Sequence, residues 1–271
     1  MTGNPDFETI KANQRAGWEN GDYPRVGNTL QIMAERLVEA ADIRSGQRAL
    51  DVACGQGNAA LAAARRFARA TGVDYATNLL EQGRERAAAE HLDVTFTEGD
   101  AEKLPVPDRS FDVTLSTVGV MFAPNHQQTA DELVRVTTVG GKIALANWTP
   151  PGMIGQMFKM VSGWAPPPAG VQPGTLWGTE AHLENLFGSR VEWISLTKQE
   201  FVFRYLSPEH FSQWFRTNYG PITTLAGRLS TEDVDRFADD LAGVARQFNQ
   251  ADDGTLVAPG EYLEAVGIVR A

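Results

Sequence analysis

The sequence predicts an α/β domain built on a parallel sheet with helices on both faces, and two observations carry that prediction. Between Arg48 and Trp148, short apolar runs alternate with segments of helical spacing, the pattern of repeated β-α units. Within that region, Ala49-Leu50-Asp51-Val52-Ala53-Cys54-Gly55-Gln56-Gly57-Asn58 reads as a strand ending in an acid and small residues, then a Gly-x-Gly turn. An alanine-rich helix from Ala59 to Ala68 follows. Glycine lets backbone pass close to a ligand and a helix N-terminus offers unpaired N–H groups, so this is a seat for a nucleotide-like molecule.

Composition bounds the rest. The 271 residues suffice for one large α/β domain with an appendage. No eighteen-residue window is continuously apolar, which argues against a membrane span, and Met1 to Ile10 shows acids and no apolar leader. The single cysteine, Cys54, makes no internal disulfide, so the expected location is cytoplasmic. Net charge is −10, and the one basic cluster, Arg65, Arg66 and Arg69, reads as a solvated helix side. Phosphate-backbone binding needs positive charge, so no nucleic-acid partner is expected.

In chain order, residues 1–27 read as an N-terminal arm anchored by Trp18, Tyr23 and Pro24, with Trp18 or Tyr23 placed to fold over a ligand. Helical spacing runs from Asn28 to Ile43 and stops at Ser45-Gly46. Strand Arg48–Ala53, helix Asn58–Arg69, strand 70–74, helix Thr77–Glu90, strand Asp93–Thr97, strand 111–116, helix Gln127–Val136 and strand Lys142–Trp148 follow. Beyond Trp148 the pattern changes to a long, partly helical Pro-, Gly- and Met-rich loop over 150–178. Then come a helix over 180–187, a strand over 191–205, helices over 207–218 and 230–248, and closing strand segments at 255–258 and 261–270. Ser230 with Asp233 is placed to cap the last helix.

Read as Gly55-x-Gly57-x-x-Ala60, the turn also fits a dinucleotide fingerprint, with Asp74 near the spacing of a ribose-binding acid. Asp51, however, stands where a pyrophosphate would be repelled and a cation or zwitterion would not. Asp74 ends the second strand and Asp100 follows the third. Three acids at strand ends fit an adenosine that carries a positive centre and no phosphate.

Asp51-x-x-Cys54-Gly55-x-Gly57, Gly72-Val73-Asp74, Gly99-Asp100-Ala101-Glu102-x-Leu104-Pro105, Ser110-Phe111-Asp112, and Arg135-Val136 before Gly140-Gly141-Lys142 resemble, in order, the motifs of class I S-adenosylmethionine-dependent methyltransferases. The ubiquinone/menaquinone-biosynthesis type is the nearest in flavour, and the resemblance covers about residues 45–150. It implies a Rossmann-like, seven-stranded, mostly parallel sheet with a helical lid or insert in the C-terminal half. The organisation expected is 1–44 arm and helix, 45–150 S-adenosylmethionine-binding core, and 151–271 variable substrate region with the last sheet strands. It implies that Ala53, Gly55 and Gly57, with Gln56 between them, line the methionine moiety, and that Asp74 binds the ribose hydroxyls. Tyr75 and Leu79 would flank the adenine, with Asp100 on its amine and the Ala101 N–H on a ring nitrogen. Thr117 and Val118 would present backbone to the sulfonium end. Thr138-Val139 stands where the family often has Lys-Pro, a change confined to a turn.

Methyl transfer from a sulfonium is an in-line displacement, for which a protein chiefly supplies alignment and a dry site. His126 is the candidate general base, beside catalysis by positioning alone. Residues 150–220 carry Met153, Met157, Phe158, Met160, Trp164, Trp177, Phe211, Trp214, Phe215 and Tyr219, which suit a small apolar or aromatic acceptor under a lid rimmed by 165–173. O-methylation is expected first and C-methylation second. No metal spacing is seen. The protein is expected as a monomer or homodimer. Asp112 is read as fixing a strand start and Cys54 as a small filler. A binding protein without turnover and a nicotinamide-dependent oxidoreductase remain as rival readings.

Overall fold

The computed structural model describes residues 5–271, so Met1–Asn4, part of the arm and of the stretch read for a leader, lie outside the described residues. Seven strands form one sheet: β1 (Arg48–Val52), β2 (Arg69–Asp74), β3 (Val94–Glu98), β4 (Phe111–Thr117), β5 (Thr137–Trp148), β6 (Val191–Tyr205) and β7 (Leu256–Val269). Their order is β3-β2-β1-β4-β5-β7-β6. The first five run parallel, while β7 lies antiparallel to both β5 and β6. Strand order reverses between β1 and β4, and the ends of strands at such a switch point leave a crevice for a ligand.

Buried runs such as Ala49-Leu50-Asp51-Val52 reflect a sheet covered on both faces. The helices are α1 (Phe7–Glu19), α2 (Tyr23–Thr29), α3 (Gln31–Ala40), α4 (Asn58–Ala64), α5 (Thr77–Ala89), α6 (His126–Val136), α7 (Met153–Trp164), α8 (Glu180–Phe187), α9 (Pro208–Asn218), α10 (Gly220–Ala226) and α11 (Thr231–Phe248). In α4 every residue from Ala59 to Ala64 is buried, and the alanines, all but Leu61, let the helix lie close on its neighbours. Asp112 fixes a strand start as read: its carboxylate accepts from the Arg48 N–H at 2.8 Å and from the Arg48 guanidinium at 2.7 Å. The turn after β3 is pinned from α6, where Glu132 accepts from the Leu104 N–H at 2.6 Å and Arg135 donates to the Leu104 and Val106 carbonyls.

Three segments differ from the sequence reading, and a fourth, the partly helical stretch over 150–178, gains defined bounds. The arm folds as α1 and α2, with Asp6 capping the first through the Thr9 N–H. The expected loop over 150–178 contains α7 and a 3-10 turn at Gly174–Gly178. A further helix, α10, follows α9. The chain closes on one continuous strand, β7, through Pro259-Gly260, because β6 runs antiparallel beside it and pairs with it past that dipeptide. Ser230 caps α11 as expected, accepting from the Asp233 N–H.

Two substitutions calibrate this framework. Ser230→Ala should lower the unfolding free energy by about 1 kcal/mol, the usual cost of losing an N-cap. Leu115→Ala, in the fully buried centre of β4, should cost about 3 kcal/mol through cavity formation. Urea unfolding followed by circular dichroism checks both.

Candidate active site

A cavity with an empty volume of about 810 Å³, open solvent at its mouth included, lies at the C-terminal ends of β1, β2 and β4. The β1 end and its turn contribute Asp51, Ala53, Gly55 and Gln56; the segment after β2 contributes Asp74, Tyr75 and Leu79. Asp100 and Ala101 come from beyond β3, Thr117 and Val118 from the end of β4, and Trp18 from α1. These residues, far apart in sequence, are brought together as the strand ends converge.

Two expected site residues lie elsewhere. Gly57 is not among the lining residues; it caps α4 at φ +82°, and a Cβ there would stand 2.6 Å from the Phe96 ring. Its work is to let the turn close against β3. His126 also lies outside the lining residues, because it opens α6 with its ring turned into the interior. Its Nδ1 lies 2.9 Å from His182 Nε2, and its ring packs 5.7 Å from that of Trp177. Burial, with His182 beside it, holds the His126 pKa down at about 4, so the imidazole is neutral near pH 7.

The cavity is electrostatically lopsided. Asp51 is 2% exposed, and its carboxylate accepts from the Ala60 N–H at 2.9 Å in the first turn of α4. Burial, offset in part by that bond and reinforced by Asp74, pushes its pKa up to about 7. Asp74 accepts from the Gly55 and Ala76 N–H groups, each at 2.8 Å, and burial raises its pKa too. Asp100 accepts from the Glu102 N–H at 2.9 Å and from Lys11 at 2.6 Å. Lys11 is the one cation among the lining residues, and it is already held by Glu8, Asp100 and Glu102. Burial pulls its pKa down, but those three partners outweigh it and keep the ammonium charged. The site therefore favours a ligand bearing positive charge. No sequence signal pointed to Lys11, which meets its partner Asp100 from 89 positions away.

Two of the six non-glycine residues with positive φ among the described residues lie in the same place. Ala53 and Val118 sit at φ +52° and +54°, a left-handed conformation that side chains resist, and both line the cavity. Gly119 stays glycine for a steric reason: a Cβ there would strike the Ala53 carbonyl oxygen. The Thr117 hydroxyl is buried and finds no partner among the described residues.

A second cavity, with an empty volume of about 380 Å³, adjoins the first. The two share Trp18, Tyr23, Val118 and Phe122 as walls. Trp18 stands edge-on to Tyr23, Phe122 and Tyr219 at 5.5, 4.9 and 5.4 Å. The far walls include Trp148 and Phe203 of the sheet, Met157 and Phe158 of α7, and Phe215 of α9; no charged side chain lines it. Of the other apolar residues read for an acceptor pocket, Met153, Trp177 and Phe211 are core residues instead. The 165–173 segment contributes to neither cavity.

The methyltransferase domain family matches residues 50–145. A demethylmenaquinone methyltransferase of Deinococcus radiodurans is 30% identical over 188 residues, 66% of this chain and 72% of that one. The chain belongs to the class I S-adenosylmethionine-dependent methyltransferases. An uncharacterized protein of Mycobacterium tuberculosis is 40% identical over 210 residues, 76% of this chain and 77% of that one. The YcgJ protein from Bacillus subtilis shares the methyltransferase's fold at a TM-score of 0.60 and 20% identity, covering 90% of this chain and 99% of that one. S-Adenosylmethionine is the enzyme's methyl donor. A cavity of three carboxylates, an unpartnered buried hydroxyl and an already paired lysine suits that sulfonium-bearing nucleoside.

Asp51 gives the apoenzyme a pH signature. Its folded pKa near 7 lies above the unfolded value of about 3.9, so the native state holds a proton that the unfolded state releases between them. That contribution to stability is complete below about pH 4 and is lost as pH rises through 7. Relative to Asp51→Asn, wild-type stability should fall by about 1 kcal/mol per pH unit from pH 5 to 7 and level off above 7.5. Urea titrations of both apoproteins across that range check the slope.

Proposed function

We propose that the enzyme methylates a small lipophilic or aromatic acceptor held in the second cavity, with S-adenosylmethionine in the first. The observation that carries this reading is the shared aromatic wall: an apolar chamber opens beside a cation-favouring one. On this reading Asp74 takes the ribose hydroxyls, and Asp100 with the Ala101 N–H takes the adenine edge. Tyr75 and Leu79 flank the ring. Ala53, Gly55 and Gln56 run along the methionine, and Asp51 faces the positive end of the donor. Thr117 and Val118 stand at the boundary between the chambers, and Trp18 closes over it. The bound donor supplies a methyl group activated by a positive sulfur.

The chain's own part is alignment and exclusion of water. Among the residues lining the second cavity the only titratable groups are the phenols of Tyr23 and Tyr219. Burial raises both; Asp74 and Asp51 push Tyr23 further, and Tyr23 and Tyr75 do so for Tyr219. Both therefore serve as neutral walls or hydrogen-bond donors, not as bases. An acceptor that brings its own anion suits such a pocket: an acidic phenol or enol oxygen first, an activated carbon second. The quinone in the name of the Deinococcus relative agrees with an aromatic acceptor. A protein that binds the donor without turnover would not need the second chamber.

Calorimetry should give micromolar binding of S-adenosylmethionine and S-adenosylhomocysteine, lost in Asp74→Ala. A screen for S-adenosylhomocysteine release should favour lipophilic phenols, and turnover of polar amines or nucleosides alone would overturn the acceptor assignment. His126→Ala should retain activity to well within about a hundredfold of wild type, less than a general base contributes at its upper range. A larger loss in kcat, with binding intact, would restore His126 as the base.

A further inference from the structure

The helix α2 touches both chambers and has little stability of its own. It spans Tyr23–Thr29, its N-cap Asp22 makes no side-chain capping bond, and a helix of that length is marginal without tertiary support. Beside packing on α3, α5 and α9, that support comes from the Gly-rich turn of the donor site. Gln56, 1% exposed, donates through Nε2 to the Asn28 side chain at 3.1 Å and the Pro24 carbonyl at 3.3 Å. Asn58 donates through Nδ2 to the Gly27 carbonyl at 2.8 Å.

The turn is braced from behind. Arg86 of α5 donates to the Gln56 carbonyl at 3.0 Å and to Asn58 Oδ1 at 2.8 Å, which orients the Asn58 amide toward α2. Steric fit repeats the linkage: a Cβ on Gly27 would stand 2.6 Å from Gln56 Nε2, and one on Gly55 would stand 3.3 Å from the Tyr23 ring. From α2 and the residue that follows it, Tyr23, Val26 and Leu30 project into the second cavity.

We infer that Gln56 and Asn58 are positioning residues that couple the two chambers: donor binding fixes the Gly-rich turn, the turn fixes α2, and α2 completes the acceptor pocket. The inference rests on the acceptor assignment above. Contacts the donor makes with the turn add to its hold on α2 and lower the ordering cost left for the second ligand, which makes binding of the two cooperative and reciprocal. Asn58 also lines the donor cavity, so its substitution shifts donor affinity as well; the coupling ratio is the quantity that isolates its link to α2.

The test is calorimetric titration of 2-naphthol into the enzyme, with and without saturating S-adenosylhomocysteine. In wild type the naphthol Kd should fall by about fivefold or more when S-adenosylhomocysteine is present, the lower end of ordinary coupling. Asn58→Asp keeps size and the Arg86 contact but removes the donor to Gly27, and should bring the ratio to within about twofold of unity. Gly27→Ala, which displaces Gln56, should do the same and stands in if the Asp variant melts early. Met157→Trp, filling the apolar chamber, should abolish naphthol binding and so locates it. Equal naphthol affinity with and without S-adenosylhomocysteine in wild type overturns the coupling while leaving the acceptor assignment intact. Full coupling in both variants overturns the route through α2. Failure of naphthol to bind at all, with S-adenosylhomocysteine binding retained, overturns the acceptor assignment and the coupling with it.

Discussion

Carboxylates gathered at the ends of parallel strands, without enough cations to balance them, are the constraint on which the rest of this molecule depends. Repulsion and desolvation both oppose it, and the fold answers with backbone dipoles. Asp51 is bonded by an N–H in the first turn of α4, where the helix end is electropositive. Asp74 is bonded by the N–H groups of Gly55 and Ala76, and Asp100 by that of Glu102. Backbone donors steady the charge without neutralising it. The field therefore survives for a positively charged ligand, and Asp51 rests close to its protonation midpoint in the empty enzyme.

Much of the remaining architecture holds those strand ends in register. Arg48 and Asp112 lock the starts of β1 and β4, so the two strands reach the switch point together. Glu132 and Arg135 hold the turn after β3 and set where Asp100 and Ala101 can lie. Left-handed backbone at Ala53 and Val118 stands where both strand exits meet the cavity, and Gly119 lets the two exits approach closely. Strain of this kind persists only where the surroundings over-determine it.

The core of the fold was legible because its signals are local. Alternating apolar runs and helical spacing predicted β1 to β5 and their helices, and motif order placed Asp51, Asp74, Asp100 and their neighbours at one cavity. Signals that depend on distant contact were not legible. Lys11 has meaning only beside Asp100, and Gly57 reads as a ligand-binding glycine until Phe96 is seen against it. His126 stands where an acceptor-side base would be expected, but the first turn of α6 faces His182 and Trp177, which the sequence alone could not bring there. Helix α10 was hidden by its Gly-Pro start, and α7 fell within a stretch legible only as partly helical; α7 packs against α11 and α10 against α9.

The N-terminal helix is fastened by two kinds of bond with opposite sensitivities. One set of contacts is ionic, Lys11 and Arg15 on Asp100, Glu102 and Glu98; the other is apolar and steric, Trp18 among aromatic rings and Gly17 close against Gly220. Salt screens the exposed Arg15–Glu98 pair and reaches the nearly buried Lys11 pairs far less, whereas cooling weakens the aromatic contacts. The two fastenings of the helix that lines the donor cavity thus weaken under different conditions. At high salt the aromatic contacts carry more of the hold, and in the cold the charged ones do.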